Sequence, residues 1–356
     1  MRRWILTFVF ALAGCVPAGE AESPTAPLPL PASAPASAPA TATATATAPD
    51  SDPAPDSESA PDSDPAPAPI VAPPVVTTCV PPRRTETAPR LREGLIYSRV
   101  GAQALALDLA LPASSGPHPI VLVFHGGGWS AGERAHVRDD IATLAGLGYA
   151  GAAIDYRLVD GSRGTSPAAV ADARCAVRYL RRRADELGLD AERMGALGYS
   201  AGGQIALMLG TASDVAGLDG GCSDTGTSPA IRAAIGYFPP VDMRPEAEFS
   251  RAADQVITRF LGVTRRRDPR AAALASPLVH VDGGDAATLL VHGTEDNVVP
   301  VGQSRMMRAA LARVGVPVTF VEIPGARHGF RLFGRGARVR PGTCTSLAFL
   351  QATLGG

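Results

Sequence analysis

From residue 95 onward the chain alternates between short apolar runs and longer stretches of helical period. Residues 95–100 and 105–111 are apolar or alternating runs separated by Gly101 and Ala102, which predicts an antiparallel opening hairpin. Residues 119–124 form a wholly apolar run, the pattern of a strand buried on both faces. A helix follows over 137–147, a strand over 149–154, and a long amphipathic helix over 167–187. Its apolar face carries Val170, Ala173, Val177, Leu180 and Ala184, with Cys175 opposite. Next, a short apolar run stops at Gly198 and a helix of small residues starts after Ser200. Further strands are predicted at 231–238, 288–291 and 318–323, interleaved with helices at 301–314 and 343–354. Strands that alternate with helices imply a mostly parallel sheet covered on both faces, an α/β architecture. Only residues 240–286 break the alternation, with one helical stretch at 252–261.

The first ninety residues carry no such pattern. Met1, Arg2 and Arg3 precede an apolar run at 4–13 that is too short to cross a bilayer, which is the layout of an export signal. The run ends Leu12, Ala13, Gly14, Cys15 and resembles the lipobox of bacterial lipoproteins, in which the cysteine becomes the lipidated N-terminus. Residues 1–15 are therefore read as a lipoprotein signal, with Cys15 as the membrane anchor. Val16, where an aspartate would favour the inner membrane, points to the outer membrane of a bacterial cell envelope. Residues 16–90 are dominated by Pro, Ala, Ser, Thr and Asp, and the hexapeptide beginning at Pro49 recurs at Pro61. Such a composition cannot build a core, so a disordered, extended tether is expected. Residues 91–356 remain for a catalytic domain.

Composition narrows the class. With 46% hydrophobic and 19% charged residues, the 356-residue chain can bury a core in one domain or at most two. A net charge of -1, with arginines scattered and lysine absent, excludes a nucleic-acid surface. Once Cys15 is set aside, Cys79, Cys175, Cys222 and Cys344 remain. An oxidising compartment would allow two disulfides in any of three connectivities, of which Cys175 with Cys222 and Cys79 with Cys344 is preferred. No CxxC spacing is present, so neither a zinc nor a redox site is expected.

Candidate chemistry centres on Gly198, Tyr199, Ser200, Ala201 and Gly202. In this G-x-S-x-G form the glycines let the chain bend sharply enough to lift the serine hydroxyl above the sheet edge. The apolar strand at 119–124 runs straight into His125, Gly126, Gly127, Gly128 and Trp129. Consecutive glycines leave backbone N–H groups free to approach a ligand, so Gly127 and Gly128, with Ala201, are candidates for an oxyanion hole. Two places are open to Trp129, the wall of an acyl pocket or the core. Arg265, Arg266 and Arg267 read as a solvated helix end, the alternative being contact with an acidic substrate.

These motifs, with Asp155, Tyr156 and Arg157 after the next strand, resemble the α/β-hydrolase carboxylesterases. The likeness is to the bacterial feruloyl-esterase-like and hormone-sensitive-lipase-like groups, and extends from about residue 95 to the C-terminus. Tyr199 departs from the hormone-sensitive-lipase pattern, which has Asp there, and tilts the reading toward the feruloyl-esterase-like group. The resemblance implies a small cap over the pocket, formed by residues 240–286, and an acid and then a histidine after the serine. Asp296 stands at the acid position, before Val298, Val299 and Pro300, with Glu295 its nearest competitor, and His328 follows the last strand. Of six histidines, His125 and His292 border glycines and are assigned to holding loops, and His118, His136 and His280 carry no motif.

The implied function is serine ester hydrolysis through an acyl-enzyme. Ser200 would attack, His328 would act as base, and Asp296 would orient His328. No metal or organic cofactor is expected. The expected substrates are short-chain or aromatic acyl esters, some of them carbohydrate-linked. The alternatives are an amidase, peptidase or arylformamidase on the same fold, and a surface binding module without chemistry.

Overall fold

The computed structural model describes residues 74–79, 88–161, 164–332 and 340–355. Cys15, the signal run and most of the 16–90 segment lie outside these residues. All described residues belong to one compact unit.

The chain forms β1 (Arg90–Val100), β2 (Gln103–Leu111), β3 (His118–Phe124), α1 (Arg138–Gly146), β4 (Ala150–Ile154), α2 (Ala168–Arg182), α3 (Ala184–Leu187) and β5 (Leu189–Tyr199). It continues through α4 (Ala201–Thr211), β6 (Ala233–Tyr237), α5 (Arg251–Leu261), α6 (Pro269–Leu274), β7 (Ala287–Gly293), α7 (Gly302–Arg313), β8 (Val318–Ile323) and α8 (Arg340–Leu354). Among the described residues the strands make one eight-stranded sheet in the order β1-β2-β4-β3-β5-β6-β7-β8. β2 pairs antiparallel with both β1 and β4, and every other pairing is parallel. This is the α/β-hydrolase architecture.

Side chains alternate across the sheet. On β3, Ile120, Leu122 and Phe124 join the core under α2 and α4, whereas Val121 and Val123 join the one under α1 and α8. All seven residues of β3 are buried, which explains why its sequence is continuous apolar instead of alternating. The strand order reverses around β3, which has β4 on one side and β5 on the other. In open α/β sheets such a reversal opens a crevice at the carboxyl ends of the strands, where ligands bind.

Two expectations about the long helix change. It breaks at Arg183 into α2 and α3, and α2 has no solvent face along most of its length, since every residue from Ala169 to Leu180 is buried. Cys175 therefore lies in the core, 3% exposed, bonded to Cys222. The cover comes from the segment at 213–228. Arg174 donates to the carbonyls of Ser213 and Val215, and Arg178 to the carbonyl of Thr227 (2.7 Å) and to Asp219 (2.7 Å). These carbonyls have no ladder partner in an irregular segment, and the guanidinium groups of the helix supply the donors. Cys79 pairs with Cys344 on α8, and the backbone N–H of Val76 donates to Thr345 Oγ1 (2.9 Å), which donates back to the Val76 carbonyl.

The segment at 240–286 contains α5, as predicted, and also α6, which the sequence reading missed. Asp268 caps α6 by accepting from the Ala271 N–H, and Pro269 occupies its first turn. Arg265 is not a solvated helix end. Its side chain is only 11% exposed and bonds Asp254 (2.6 Å) and the carbonyls of Arg244 and Ala247. Arg266 and Arg267 are exposed.

Candidate active site

Six loops meet at the carboxyl edge of the sheet, and each follows from where a strand ends. β3 and β5 are neighbours with Phe124 opposite Gly198, so the glycine loop after one and the turn after the other leave the sheet side by side. At that turn Ser200 has φ 54° and ψ -115°, a region few residues with a Cβ adopt. Its N–H is held by the Tyr237 carbonyl (2.9 Å), and its own carbonyl starts α4 by accepting from Gln204 (3.0 Å). A Cβ on Gly202 would stand 2.4 Å from the backbone oxygens of Phe124 and His125, so only glycine lets α4 press this close to β3.

The side chains that the sequence singled out converge here. Ser200 Oγ lies 2.9 Å from His328 Nε2, and His328 Nδ1 lies 2.6 Å from Asp296 Oδ2. With the Nδ1 proton directed at the carboxylate, Nε2 is left to accept from the serine hydroxyl. Asp296 Oδ1 accepts from the N–H groups of Val298 and Val299, both at 2.9 Å. Burial alone would raise this carboxyl, but hydrogen bonds from His292 and His328 outweigh it and hold Asp296 well below the usual carboxylate range. Glu295, the competitor, is exposed, and its backbone N–H rather than its carboxylate takes part, donating to Ala326 (3.0 Å).

His292 and His125 hold loops. His292 is buried, with Nδ1 2.8 Å from Ser304 Oγ, Nε2 2.9 Å from the Val299 carbonyl, and Asp296 at 3.4 Å. His125 Nδ1 donates to the Gly126 carbonyl (2.7 Å), its ring stacks on Tyr156, and burial pushes its imidazole below the ordinary histidine range. His118 and His280 bond the carbonyls of Ser114 and Leu274.

The glycine loop supplies free donors. Gly127 has φ 122°, and a Cβ there would stand 2.0 Å from the Ala131 carbonyl oxygen. Among the described residues, no hydrogen bond uses the N–H of Gly127, Gly128 or Ala201. Trp129 belongs to the core: it is 2% exposed, stacks on Phe260 of α5 at 4.1 Å, and donates from Nε1 to Gln204. The stack docks the cap against the glycine loop, where Val256 approaches Gly128.

Beside the triad lies a cavity of about 350 Å³ whose lining includes Gly126, Gly127, Phe238, Phe330, His136 and Arg331. None of Arg265, Arg266 and Arg267 lines it. The sequence reading missed Phe238. Its ring lies 4.5 Å from that of His328 and 4.9 Å from that of Phe330, and its own φ is 41°. The two prolines after it, Pro239 and Pro240, were the available signal.

A serine on a strained strand-to-helix turn, with its histidine and acid on later loops, defines a serine hydrolase site of the α/β-hydrolase kind. Within that class the chain belongs to the BD-FAE family. The family's model matches residues 107–311, more than half of the chain, including Ser200 and Asp296 but not His328. Esterase LipC of Mycobacterium tuberculosis (strain ATCC 25618 / H37Rv) is 31% identical over 268 residues, covering 73% of this chain and 64% of LipC. The chain spans about half to two thirds of the length of the curated relatives it matches. Among solved structures, a truncated carbohydrate esterase from gut microbiota is 25% identical, with a TM-score of 0.64, covering 74% of this chain and 97% of that one. A thermophilic esterase of the planctomycete Thermogutta terrifontis, Est2, solved with propionate bound, is 28% identical with a TM-score of 0.60, covering 73% and 92%.

Proposed function

We propose that this protein is a serine carboxylesterase that cleaves short-chain or aromatic acyl esters, with Ser200 as nucleophile. The observation that carries this reading is the unbroken chain from Ser200 Oγ through His328 to the Asp296 carboxylate. A serine hydroxyl is a poor nucleophile until a neighbouring imidazole takes its proton. His328 takes it from Nε2 as Oγ attacks the ester carbonyl. Asp296 holds the tautomer and stabilises the imidazolium. Negative charge builds on the former carbonyl oxygen, and the N–H groups of Gly127, Gly128 and Ala201 receive it. His328 returns the proton to the departing alkoxide, and water, activated by the same imidazole, releases the acid from the acyl-enzyme.

Esters are favoured over amides because an alkoxide leaves more readily than an amine, which must be protonated as it departs. The cavity of about 350 Å³ is at the small end of ligand sites, which suits a short or aromatic acyl group better than a long chain. The propionate-bound esterase and the carbohydrate esterase support a short acyl group and a sugar-linked alcohol. A fluorophosphonate probe is expected to label the wild type and not Ser200→Ala, and labelling of both sinks the nucleophile. Across C2 to C16 p-nitrophenyl esters, with a feruloyl ester and a peptide anilide alongside, kcat/KM is expected to be highest for the shortest chains or the feruloyl ester. An optimum at C12 or beyond, or faster anilide cleavage, refutes the substrate class.

The protein is further proposed to sit on the bacterial cell envelope, lipidated at Cys15 and held off the membrane by residues 16–90. The short apolar run ending in Leu12, Ala13, Gly14 and Cys15, followed by the Pro/Ala-rich stretch, supports this. Cells fed a clickable palmitate should label the wild type but not Cys15→Ala. Equal label on both proteins discards the anchor.

A further inference from the structure

His328 sits on a short span whose two ends are fastened to the loops bearing the other two members of the triad. Ahead of it, the Ala326 carbonyl accepts from the N–H of Glu295 (3.0 Å), the residue next to Asp296. Beyond it, the N–H of Leu332 donates to the hydroxyl of Tyr199 (3.1 Å), the residue next to Ser200. The Tyr199 hydroxyl donates in turn to Asp140 Oδ2 on α1 (3.1 Å). The same oxygen receives Arg331 Nη2 (2.8 Å), whose guanidinium lies 5.3 Å over the Tyr199 ring and also bonds the His136 carbonyl. Asp140 is buried, with 4% of its side chain exposed, while 43% of Arg331 remains on the rim of the cavity.

The span needs such fastening. Gly325 and Gly329 flank His328 at φ 65° and 99°; the Gly325 N–H donates to Thr294 Oγ1 (2.9 Å), whereas Gly329 has no side chain to pack and open space where its Cβ would stand. Phe330 packs on Phe238, which touches the imidazole, so a shift of the span beyond His328 would move the ring that His328 leans on.

We propose that Tyr199, Asp140 and Arg331 are positioning residues for His328. Together they fix the far end of its span against the turn that carries Ser200, and so set the Nε2 to Oγ distance. The inference rests on the reading of Ser200 and His328 as a catalytic pair. It also gives Tyr199 a task that the pattern G-x-S-x-G leaves undefined. The hydroxyl works as donor and acceptor at once, which a phenylalanine of the same shape cannot do.

The test is kinetics on the purified full chain with Tyr199→Phe, Arg331→Ala and the double variant. Active sites are counted by fluorophosphonate titration, and Tm is measured alongside. A misplacement of about 1 Å can cost on the order of 10²-fold in rate. In Tyr199→Phe, kcat per titrated site is therefore expected to fall about 10- to 100-fold with KM within about twofold of the wild type. The double variant should fall little further than the worse single one, because the residues act as one device. Unchanged kcat per titrated site in Tyr199→Phe overturns the proposal, however far Tm drops. Should Tyr199→Phe not fold, Arg331→Ala, on the cavity rim, decides by the same criterion. Ser200→Ala, run in parallel, separates the two failures: if it retains the full rate, the underlying catalytic reading fails, and if it is inactive while Tyr199→Phe is unimpaired, only the positioning role does.

Discussion

Ser200→Ala and His328→Ala are each expected to lower kcat by about 10⁴- to 10⁶-fold, with the double variant no worse than either alone. The near-identity of single and double losses follows from one proton path. Without Oγ there is no nucleophile for the imidazole to activate, and without the imidazole the hydroxyl stays protonated. The fold should survive both changes. Ser200 already carries a Cβ at φ 54°, so alanine adds no backbone strain, and its N–H bond to the Tyr237 carbonyl is untouched. His328 is partly exposed, and its loss opens space beside Phe238 without stranding a buried charge elsewhere than at Asp296, which keeps two backbone N–H donors. Circular dichroism and Tm near wild type, alongside the rate loss, are the expected result. A variant that retains a tenth of the wild-type kcat would remove that residue from the mechanism.

The second large effect separates the two adjacent acids. Asp296→Asn should lower kcat by about 10³- to 10⁴-fold, because an amide in place of the carboxylate can direct its NH₂ at Nδ1 and favour the wrong imidazole tautomer. Glu295→Gln should leave kcat within about twofold, since only the backbone of Glu295 is engaged. The reverse pattern would transfer the acid role to Glu295. A pH signature accompanies the change. The Asp296 carboxyl is depressed in the folded chain, so its ionisation stabilises the fold above the unfolded carboxyl pKa of about 3.9, and that stabilisation is lost as pH falls below it toward the folded value. The stability difference between wild type and Asp296→Asn, measured by denaturant, should therefore narrow at acid pH.

What could be read from the sequence was set by local chemistry. β3, continuous apolar and closed by three glycines, and the turn at Ser200, where glycines stand two residues to either side, announce themselves because the constraint and the residue that meets it lie within a few positions. The order of Asp296 and His328 was legible through the family's chain order. Contacts between distant segments were not. Nothing near Asp140 marks it as a partner of Tyr199, 59 positions away, or of Arg331, 191 positions away. The polar side of α2 looked like a solvent face, because arginines that cap the carbonyls of a remote segment have the same periodicity as arginines in water. For α6 the signal was present and passed over: Asp268 followed by Pro269 is a cap followed by a first-turn proline, hidden behind the arginine run.

The bond between Cys79 and Cys344 changes what a single cut in the polypeptide can accomplish. Everything before Cys79 is joined to the folded unit twice, once through the peptide chain at 80–89 and once through α8. A protease that nicks the chain at 80–89 would therefore leave both fragments on one covalent molecule, and separating them would require a reductant as well as a peptidase.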